Sequence, residues 1–427
     1  MIVDKTLLLV AVFSLVVIGI IMVYSVTSAD LASAGKNPYS DAISQIVYAL
    51  IGIVGAVLVW RFFPYEIWGG RVTWIVWGIC MVLLLLTFAM GTEINGAKRW
   101  LYLGPIGMQP SEFVKVALLL MTIRILYDLH QGFLEVRAAI VQGFLLVLMP
   151  LGFLYATQSD LGTTLICFVG IFAVMWIGGI NSRLMALIGI VAVVLGALAI
   201  FGSSYRSNRF VYLDPWNDGM GGRGDGYNII RAYYALAEGG IFGVGIGNSH
   251  EKYQYLFASE SDFIFAIIGE ELGLVGALLV IGLFLLVLYC GLRITAGAPD
   301  MLGAMIAGGC TIMMVFQAFL NIGCSIGVFP TTGKPLPFIS SGGTSMMSSL
   351  VLVGLVLSVE RVEETSKEYE KNRSRLRVVS VNDDYIPRDS RDHFDDGFNV
   401  RSGGRTSGGF DNYDRRSARN GGTRRRR

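Results

Sequence analysis

The sequence has few charges and almost no histidine for its length. Of its 427 residues, only 15% are charged, 53% are hydrophobic and three are histidine, whereas soluble domains carry about 25% charged residues. This composition excludes a soluble globular protein and is typical of an integral membrane protein. Histidine is also too scarce to build a histidine metal cluster or an obvious Ser-His-Asp relay.

The cysteines point away from metal or redox chemistry. Each of the five lies inside an apolar run, and no C-x-x-C spacing suggests a zinc site or a redox pair. We therefore expect them to be small core residues: Cys80, Cys167, Cys290, Cys310 and Cys324.

Long apolar runs fill the first 360 residues. About 20 apolar residues cross the ~30 Å of membrane hydrocarbon, and ten segments are read as spans. They are about 6–24, 43–60, 72–90, 111–127, 138–156, 161–178, 184–201, 263–291, 302–329 and 344–360. We predict an all-α polytopic membrane domain over residues 1–360, with a large extracytoplasmic loop at 202–262 between spans seven and eight.

The remaining segment, 361–427, has a different composition. It holds half of the Lys and Arg residues and is rich in Gly, Ser, Asn and Asp, which cannot bury enough apolar surface to fold alone. We predict a disordered basic cytoplasmic tail. It is a solvated tether, or it contacts anionic lipid or an acidic partner.

The even number of spans places both termini on one side of the membrane. Short loops on that side carry Arg61, Arg71, Arg137, Arg183 and Arg293, which predicts that the termini are cytoplasmic. The outward loops are basic too, and these charges need another explanation. They are Lys36, Lys98, Arg99, Arg206, Arg209, Arg223, Arg231, Lys252 and Lys334.

Asp262 stands at the outer mouth of span eight. Glu260 and Ser261 precede it, while Glu270 and Glu271 lie about two turns deeper. A charge at the bilayer centre costs at least ~2.5–3.5 kcal/mol, so the carboxylate has to be sheltered by protein. Either it caps the helix, or it stays ionised beside the cations and accepts a proton from a hydroxyl or holds a divalent ion.

Cations and aromatic residues alternate in two outward loops. Lys98 and Arg99 precede Trp100, and Arg206 and Arg209 alternate with aromatics in the long loop. The first group either attracts phosphate or forms an interfacial tryptophan belt.

Two glycine-containing stretches lie in the second half of the long loop. "GYNIIRAYYALAEGG" predicts a short amphipathic helix lying along the surface. "GIFGVGIGNSH" follows no strand pattern and lacks a glycine of the dinucleotide fingerprint, so it predicts a tight non-helical loop.

Further polar residues stand at the outer ends of spans. Ser111 is a candidate cap for span four, and Glu112 and Lys115 share one helix face. Asp160 either caps span six or faces a cavity. Lys334, in a proline-broken loop, either contacts phosphate or extends its amine to the membrane surface.

These stretches resemble the SEDS family (shape, elongation, division and sporulation), the FtsW/RodA/SpoVE glycan polymerases, from about residue 5 to 360. The motifs are "NGAKRWL", "QPSEFVKVALL", "SDLGTT", "GGIFGVGIGNS", "SDFIFAIIGEELG" and "PLPFISSGG". "GGTSMMSSL" and "GIIMVYSVTSA" are more similar to the FtsW branch than to RodA. "YLFASESD" departs from the family's usual "YLPEAHTD" but keeps the aspartate.

The resemblance implies a peptidoglycan glycosyltransferase that polymerises lipid II outside the plasma membrane during septal wall synthesis, together with a class B penicillin-binding transpeptidase and other division proteins. It implies that Asp262 is catalytic. Trp100, Glu112, Lys115 and Asp160 match the family's other cavity positions. We expect no organic cofactor and no nucleic-acid partner.

The mechanism this suggests is an inverting displacement. Asp262 takes or orients the proton of the acceptor 4-hydroxyl, which attacks the donor's anomeric carbon. Outward cations stabilise the leaving pyrophosphate, with or without Mg²⁺ at Asp262. Together with the four cavity residues, the expected substrate-binding cations are Lys98, Arg99, Arg206, Arg209 and Lys252.

Three alternatives remain open: a lipid II flippase, a non-catalytic scaffold for division proteins, and a RodA-like polymerase serving elongation. The polar groups gather at one face and mark no path through the midplane, which favours the enzyme over the flippase.

Overall fold

A computed structural model describes residues 2–94, 97–103, 106–201, 212–224, 226–253 and 255–380. The chain divides into two units, Met1–Lys371 and Asn372–Arg427, and only the helical residues 372–380 of the second unit are described. Helices form most of the first unit. They are α1 (Ile2–Ser33), α2 (Ser40–Phe62), α3 (Arg71–Met90), α4 (Ser111–His130), α5 (Val136–Gln158), α6 (Leu161–Ile177), α7 (Ser182–Phe201), α8 (Tyr227–Gly239), α9 (Ile264–Gly297), α10 (Met301–Ser325) and α11 (Gly343–Ser380).

The ten predicted spans each coincide with one of these helices. Among the described residues, seven helices are long and apolar enough to cross a membrane: α1, α2, α3, α5, α9, α10 and the first part of α11. Helices α6 and α7 have shorter apolar stretches, and α4 contains charged residues. The remaining helix, α8, is the predicted short amphipathic helix in the long loop and buries one apolar face.

Helices α4 and α10 form the centre of the bundle. Most residues of both helices are buried, whereas α2 and α3 expose many large apolar side chains. A helix that is buried all round lies inside the protein. Polar side chains on α4 and α10 therefore face other protein groups, and they need partners there.

A small sheet lies where a loop was predicted, at 91–110. Three antiparallel strands, β1 (Thr92–Ile94), β2 (Ala97–Leu103) and β3 (Ile106–Met108), pair in the order β1-β2-β3. In "AKRWLYL" the aromatic residues Trp100 and Tyr102 alternate with leucines, and aromatic residues favour strands, so a strand signal was present in the sequence. Side chains alternate across a strand, which turns Arg99 to the face opposite Lys98 and Trp100.

Helix α9 is interrupted one turn beyond its buried glutamates. Gly273 has φ 69° and ψ −168°, which is non-helical. The predicted non-helical loop fits into the break: the Val244 and Gly245 N–H groups donate to the carbonyls of Glu270 and Glu271, each at 3.0 Å. Two loop carbonyls accept from the helix N–H groups beyond the break. The loop thus replaces hydrogen bonds that the helix lacks, as buried backbone requires.

The final helix runs beyond the predicted domain boundary at residue 360. It begins at Gly343 and ends at Ser380. Residues 381–427 lie outside the described residues, so the disordered tail stays a prediction.

We predict that Gly273→Ala destabilises the protein. A Cβ at this position would lie 2.3 Å from the Gly243 nitrogen, in a backbone conformation that alanine rarely adopts, and such strain costs roughly 1–3 kcal/mol. At Gly282, in the same helix, an added Cβ would have no neighbour within 4 Å, so Gly282→Ala is the matched control. Thermal unfolding in detergent should show a lower Tm for Gly273→Ala than for Gly282→Ala. Equal Tm values would contradict the non-helical conformation of Gly273.

Candidate active site

A polar cavity of about 230 Å³ lies beside Asp262. Of the predicted site residues, Asp262 and Arg99 line it. The complete lining is Arg99, Ser159, Leu161, Asn228, Ala258, Asp262, Phe263, Thr331, Thr332 and Gly333. Five segments of the chain therefore meet at this cavity, and most of them are loops or helix ends.

The backbone of the cavity wall is strained. Among the described residues, three non-glycine residues have positive φ: Ser159 (48°), Ala258 (55°) and Phe338 (66°). Ser159 and Ala258 both line the cavity. Such conformations persist only where the surrounding structure imposes them, and they cluster at functional sites.

Asp262 belongs to a tight turn before helix α9. Its N–H donates to the Ala258 carbonyl at 3.0 Å, as does that of Ser261 at 3.2 Å. The residue at the N-terminal cap of α9 is Phe263, without a side-chain cap bond. The helix-capping alternative for Asp262 is therefore wrong, and its carboxylate is left to face the cavity.

Burial raises the pKa of the Asp262 carboxyl to about 6. Lys334 and Arg99 act in the opposite direction, and Glu260 adds to the rise. The effect of burial on the pKa of Asp262 is thus larger than the opposing effect of the neighbouring cations. The carboxyl is still mostly ionised at neutral pH, and a base with a pKa near the working pH is well matched to proton transfer.

We expect catalysis to lose its basic group as the pH falls through about 6. Only the ionised carboxylate accepts a proton, so activity should fall about tenfold per pH unit below the pKa. Glu260→Gln removes a neighbouring negative charge and should move this acid limb to lower pH. Initial rates from pH 4.5 to 8 check both points; an acid limb unaffected by Glu260→Gln would contradict the assignment to Asp262.

Asn321 connects two of the five segments that form the cavity wall. This α10 side chain is 1% exposed, and its amide nitrogen donates to the Asp262 carbonyl at 2.9 Å and to the Lys334 carbonyl at 2.7 Å. Asn321 therefore fixes the backbone at Asp262 and at Lys334, a role that none of the sequence motifs predicted. The available signal was an amide within an apolar span, one turn after another amide, Gln317.

Gln317 joins the same irregular segment to helix α4. Its amide nitrogen donates to the Pro335 carbonyl at 3.0 Å and to Ser345 Oγ at 3.3 Å, and its oxygen accepts from Lys115 Nζ at 2.7 Å. Lys115 also bonds Glu112 at 2.6 Å, which confirms their predicted shared face. Both charged side chains are only 1% exposed and do not line the cavity, so their contact with substrate stays a prediction.

Asp160 caps α6, as one of the two alternatives had it, and its other oxygen pairs with a buried lysine; it does not line the cavity. One carboxylate oxygen accepts from the Thr163 N–H at 2.9 Å and caps α6, and the other accepts from Lys334 Nζ at 2.5 Å. Burial would raise the pKa of Asp160, but Lys334 and Thr163 outweigh burial and hold it below its ordinary value. Lys334 is 3% exposed, so the surface-reaching alternative for this lysine is wrong.

The predicted Ser111 cap of α4 is also wrong. The N-terminal cap is Pro110, without a side-chain cap bond, and Ser111 Oγ is buried without a hydrogen-bond partner among the described residues.

We predict that Lys334→Met is strongly destabilising. It leaves the Asp160 carboxylate buried without its cation, and breaking such a pair typically costs about 3–5 kcal/mol. The double variant Lys334→Met/Asp160→Asn also removes the unpaired Asp160 charge, and its Tm in detergent should recover much of the decrease. A double variant no more stable than Lys334→Met would contradict the pairing.

Arg99 is tied to the corner between α5 and α6. Its Nε donates to the Gln158 carbonyl at 2.9 Å and its Nη2 to the Ser159 carbonyl at 3.4 Å. Lys98 and Trp100 are partly buried on the neighbouring positions of β2 but do not line the cavity.

The other predicted cations are not brought to this cavity by the described structure. Lys252 is buried, and its Nζ donates to the Gly247 carbonyl at 2.6 Å and to Glu271 at 3.2 Å. Arg206 and Arg209 lie outside the described residues. Substrate binding by these three residues, and by Lys98 and Trp100, stays a prediction.

The fold and this cavity define a polytopic membrane protein with a sheltered carboxylate near a helix end. The chain belongs to the cell cycle protein family of FtsW, RodA and SpoVE, whose family model matches residues 5–365. The predicted resemblance is thereby confirmed.

Curated relatives cover most of the chain. Stage V sporulation protein E of Bacillus subtilis (strain 168) is 32% identical over 370 residues, which are 83% of this chain and 96% of that protein. The probable peptidoglycan glycosyltransferase FtsW of Nitrosococcus halophilus (strain Nc4) is 37% identical over 365 residues, 83% of this chain and 91% of that protein.

Solved structures share the fold. A chain from a peptidoglycan synthase complex that coordinates polymerization and crosslinking superposes with a TM-score of 0.65 at 28% identity, covering 83% of this chain and 97% of that one. The rod shape determining protein RodA of Thermus thermophilus gives a TM-score of 0.59 at 28% identity, covering 83% and 95%.

Proposed function

We propose that this chain is a peptidoglycan glycosyltransferase that polymerises lipid II into β-1,4-linked glycan strands. The observation that carries the proposal is the partly buried Asp262 carboxyl, whose pKa of about 6 suits a general base, in a cavity that it shares with Arg99. The FtsW relatives bear the name of this activity and match most of the chain.

The reaction is a single inverting displacement. The acceptor's N-acetylglucosamine 4-hydroxyl gives its proton to Asp262, and its oxygen forms a bond to the anomeric carbon of the donor's N-acetylmuramic acid. The bond from that carbon to undecaprenyl pyrophosphate breaks, and the pyrophosphate leaves with the electron pair. Asp262 then releases the proton to water. General-base assistance of this kind is worth about 10²–10⁴-fold.

Arg99 is the cation placed to meet the leaving pyrophosphate. The carbonyls at 158 and 159 fix one edge of its guanidinium group. The guanidinium has five N–H donors in all. Its other donors suit the oxygens of a phosphate group. Charge that develops on the pyrophosphate is stabilised by a group already in position.

A divalent cation such as Mg²⁺ fits this site only together with substrate. Among the described residues, no group of three His, Cys, Asp or Glu side chains could hold a metal ion. Mg²⁺ is commonly bound by one or two carboxylates plus substrate phosphates, and Asp262 could be such a ligand. A bound cation would supply charge stabilisation for the pyrophosphate.

We place the reaction on the outer face of the plasma membrane, with both termini cytoplasmic. The arginines of the short loops and the concentration of polar groups at one face support this orientation. By analogy with the synthase complex and the FtsW names of the relatives, the partner is a class B penicillin-binding transpeptidase and the location is the division septum.

We expect Asp262→Asn to abolish most polymerisation. The purified protein with its transpeptidase partner, given lipid II, should make glycan strands at a rate reduced about 10²–10⁴-fold relative to wild type. Asp41→Asn, in the first turn of α2 on the same predicted side, is the control and should retain activity.

Equal polymer from wild type and Asp262→Asn would contradict the catalytic assignment. If the wild-type protein makes no polymer but moves lipid II across vesicles, the flippase alternative replaces the enzyme; if it does neither, the scaffold alternative does.

A further inference from the structure

Asn228 lines the same cavity as Asp262 and Arg99. It is the second residue of α8, on the side of the cavity formed by the long loop. Its amide oxygen is shielded from water and has no hydrogen-bond partner among the described residues. No sequence motif marks this residue as functional.

An unpartnered amide oxygen of this kind is costly. Leaving a buried acceptor unsatisfied costs about 1–3 kcal/mol, and each such group calls for an explanation. Other asparagines in exposed turns use their side chains locally: the oxygens of Asn37 and Asn181 accept from nearby backbone N–H groups. Asn228 does not cap α8 in this way, because that helix has no side-chain cap bond at its N-terminal cap, Gly226.

The surrounding loop holds Asn228 in a fixed position. Just before α8, the Asp218 carboxylate accepts hydrogen bonds from four backbone N–H groups. One turn after Asn228, Arg231 pairs with Glu251 at 3.2 Å and lies 4.8 Å from the ring centre of Tyr255. A side chain on a helix that is anchored at both sides is well suited to orient a ligand.

We propose that Asn228 is a substrate-binding residue that accepts a hydrogen bond from the sugar beside Asp262, through a ring hydroxyl or the acetamido N–H. The proposal rests on the proposed function, because it names the chemistry that the cavity recognises. N-acetylhexosamines carry both kinds of donor. A substrate that satisfies the amide oxygen removes the cost of its isolation, whereas a sugar without the donor leaves it unpaired and is rejected.

Asn228→Leu tests this proposal because leucine has a similar shape and cannot accept a hydrogen bond. We expect kcat/KM for lipid II to fall about tenfold, the equivalent of one hydrogen bond, mainly through a higher KM. The Tm should stay the same or rise, because an unsatisfied polar group has been removed. A residue with a merely structural role would lower the Tm and activity together, and that outcome would overturn the proposal.

Asn228→Asp provides a second readout. It keeps an acceptor oxygen, so it should bind substrate better than Asn228→Leu. It also adds a negative charge near Asp262 and should move the acid limb of the pH–rate profile to higher pH. Asn217→Leu, at an exposed position of the same loop, is the matched control and should behave like wild type.

The role of Asn228 and the proposed function can be disproved independently. If Asp262→Asn is inactive while Asn228→Leu has wild-type kcat/KM, the role of Asn228 is wrong and the proposed function stands. If wild type itself makes no glycan, the proposed function fails first.

Discussion

Between Ser325 and Gly343 the chain runs without helix among the helices of the bundle, and its polar backbone groups have no access to the usual helical partners. Inside a membrane protein such groups must be satisfied by protein or by cavity water. Gln317 and Asn321 supply two of the contacts by donating to the Pro335 and Lys334 carbonyls. The same amides also reach Lys115 and the Asp262 carbonyl, so one structural requirement couples the buried ion pairs to the cavity.

The position of Asp262 follows from this coupling. Its backbone is held from α10, and Ser340 Oγ and the Ser341 N–H donate to the carbonyls of the two residues before it. Lys334 is held against Asp160 rather than against Asp262. The nearest cations therefore moderate the effect of burial on the carboxyl without neutralising it. A carboxyl whose pKa is raised by burial and partly lowered by nearby cations can be ionised at neutral pH and still bind a proton during the reaction.

Short sequence patterns predicted the features that depend on residues close together in the chain. Apolar length located ten of the helices, the spacing of Glu112 and Lys115 gave their ion pair, and the start of the eighth predicted span singled out Asp262. Long-range contacts were out of reach: Lys334 and Asp160 are separated by 174 residues, and Asn321 and Asp262 by 59. Periodicity carries no information about such partners. The break at Gly273 and the isolated amide of Asn228 depend on how a loop returns to the helices, which only the folded structure shows.

The proposed reaction requires that the acceptor hydroxyl bind against the side chain of residue 262. The most direct measurement is a structure of the Asp262→Asn variant with the proposed transpeptidase partner and the proposed substrate, lipid II, bound. We expect the acceptor 4-hydroxyl within about 2.6–3.2 Å of that side chain, with the donor pyrophosphate toward Arg99. A substrate whose sugars lie elsewhere, with residue 262 in contact with neither hydroxyl nor anomeric carbon, would contradict it.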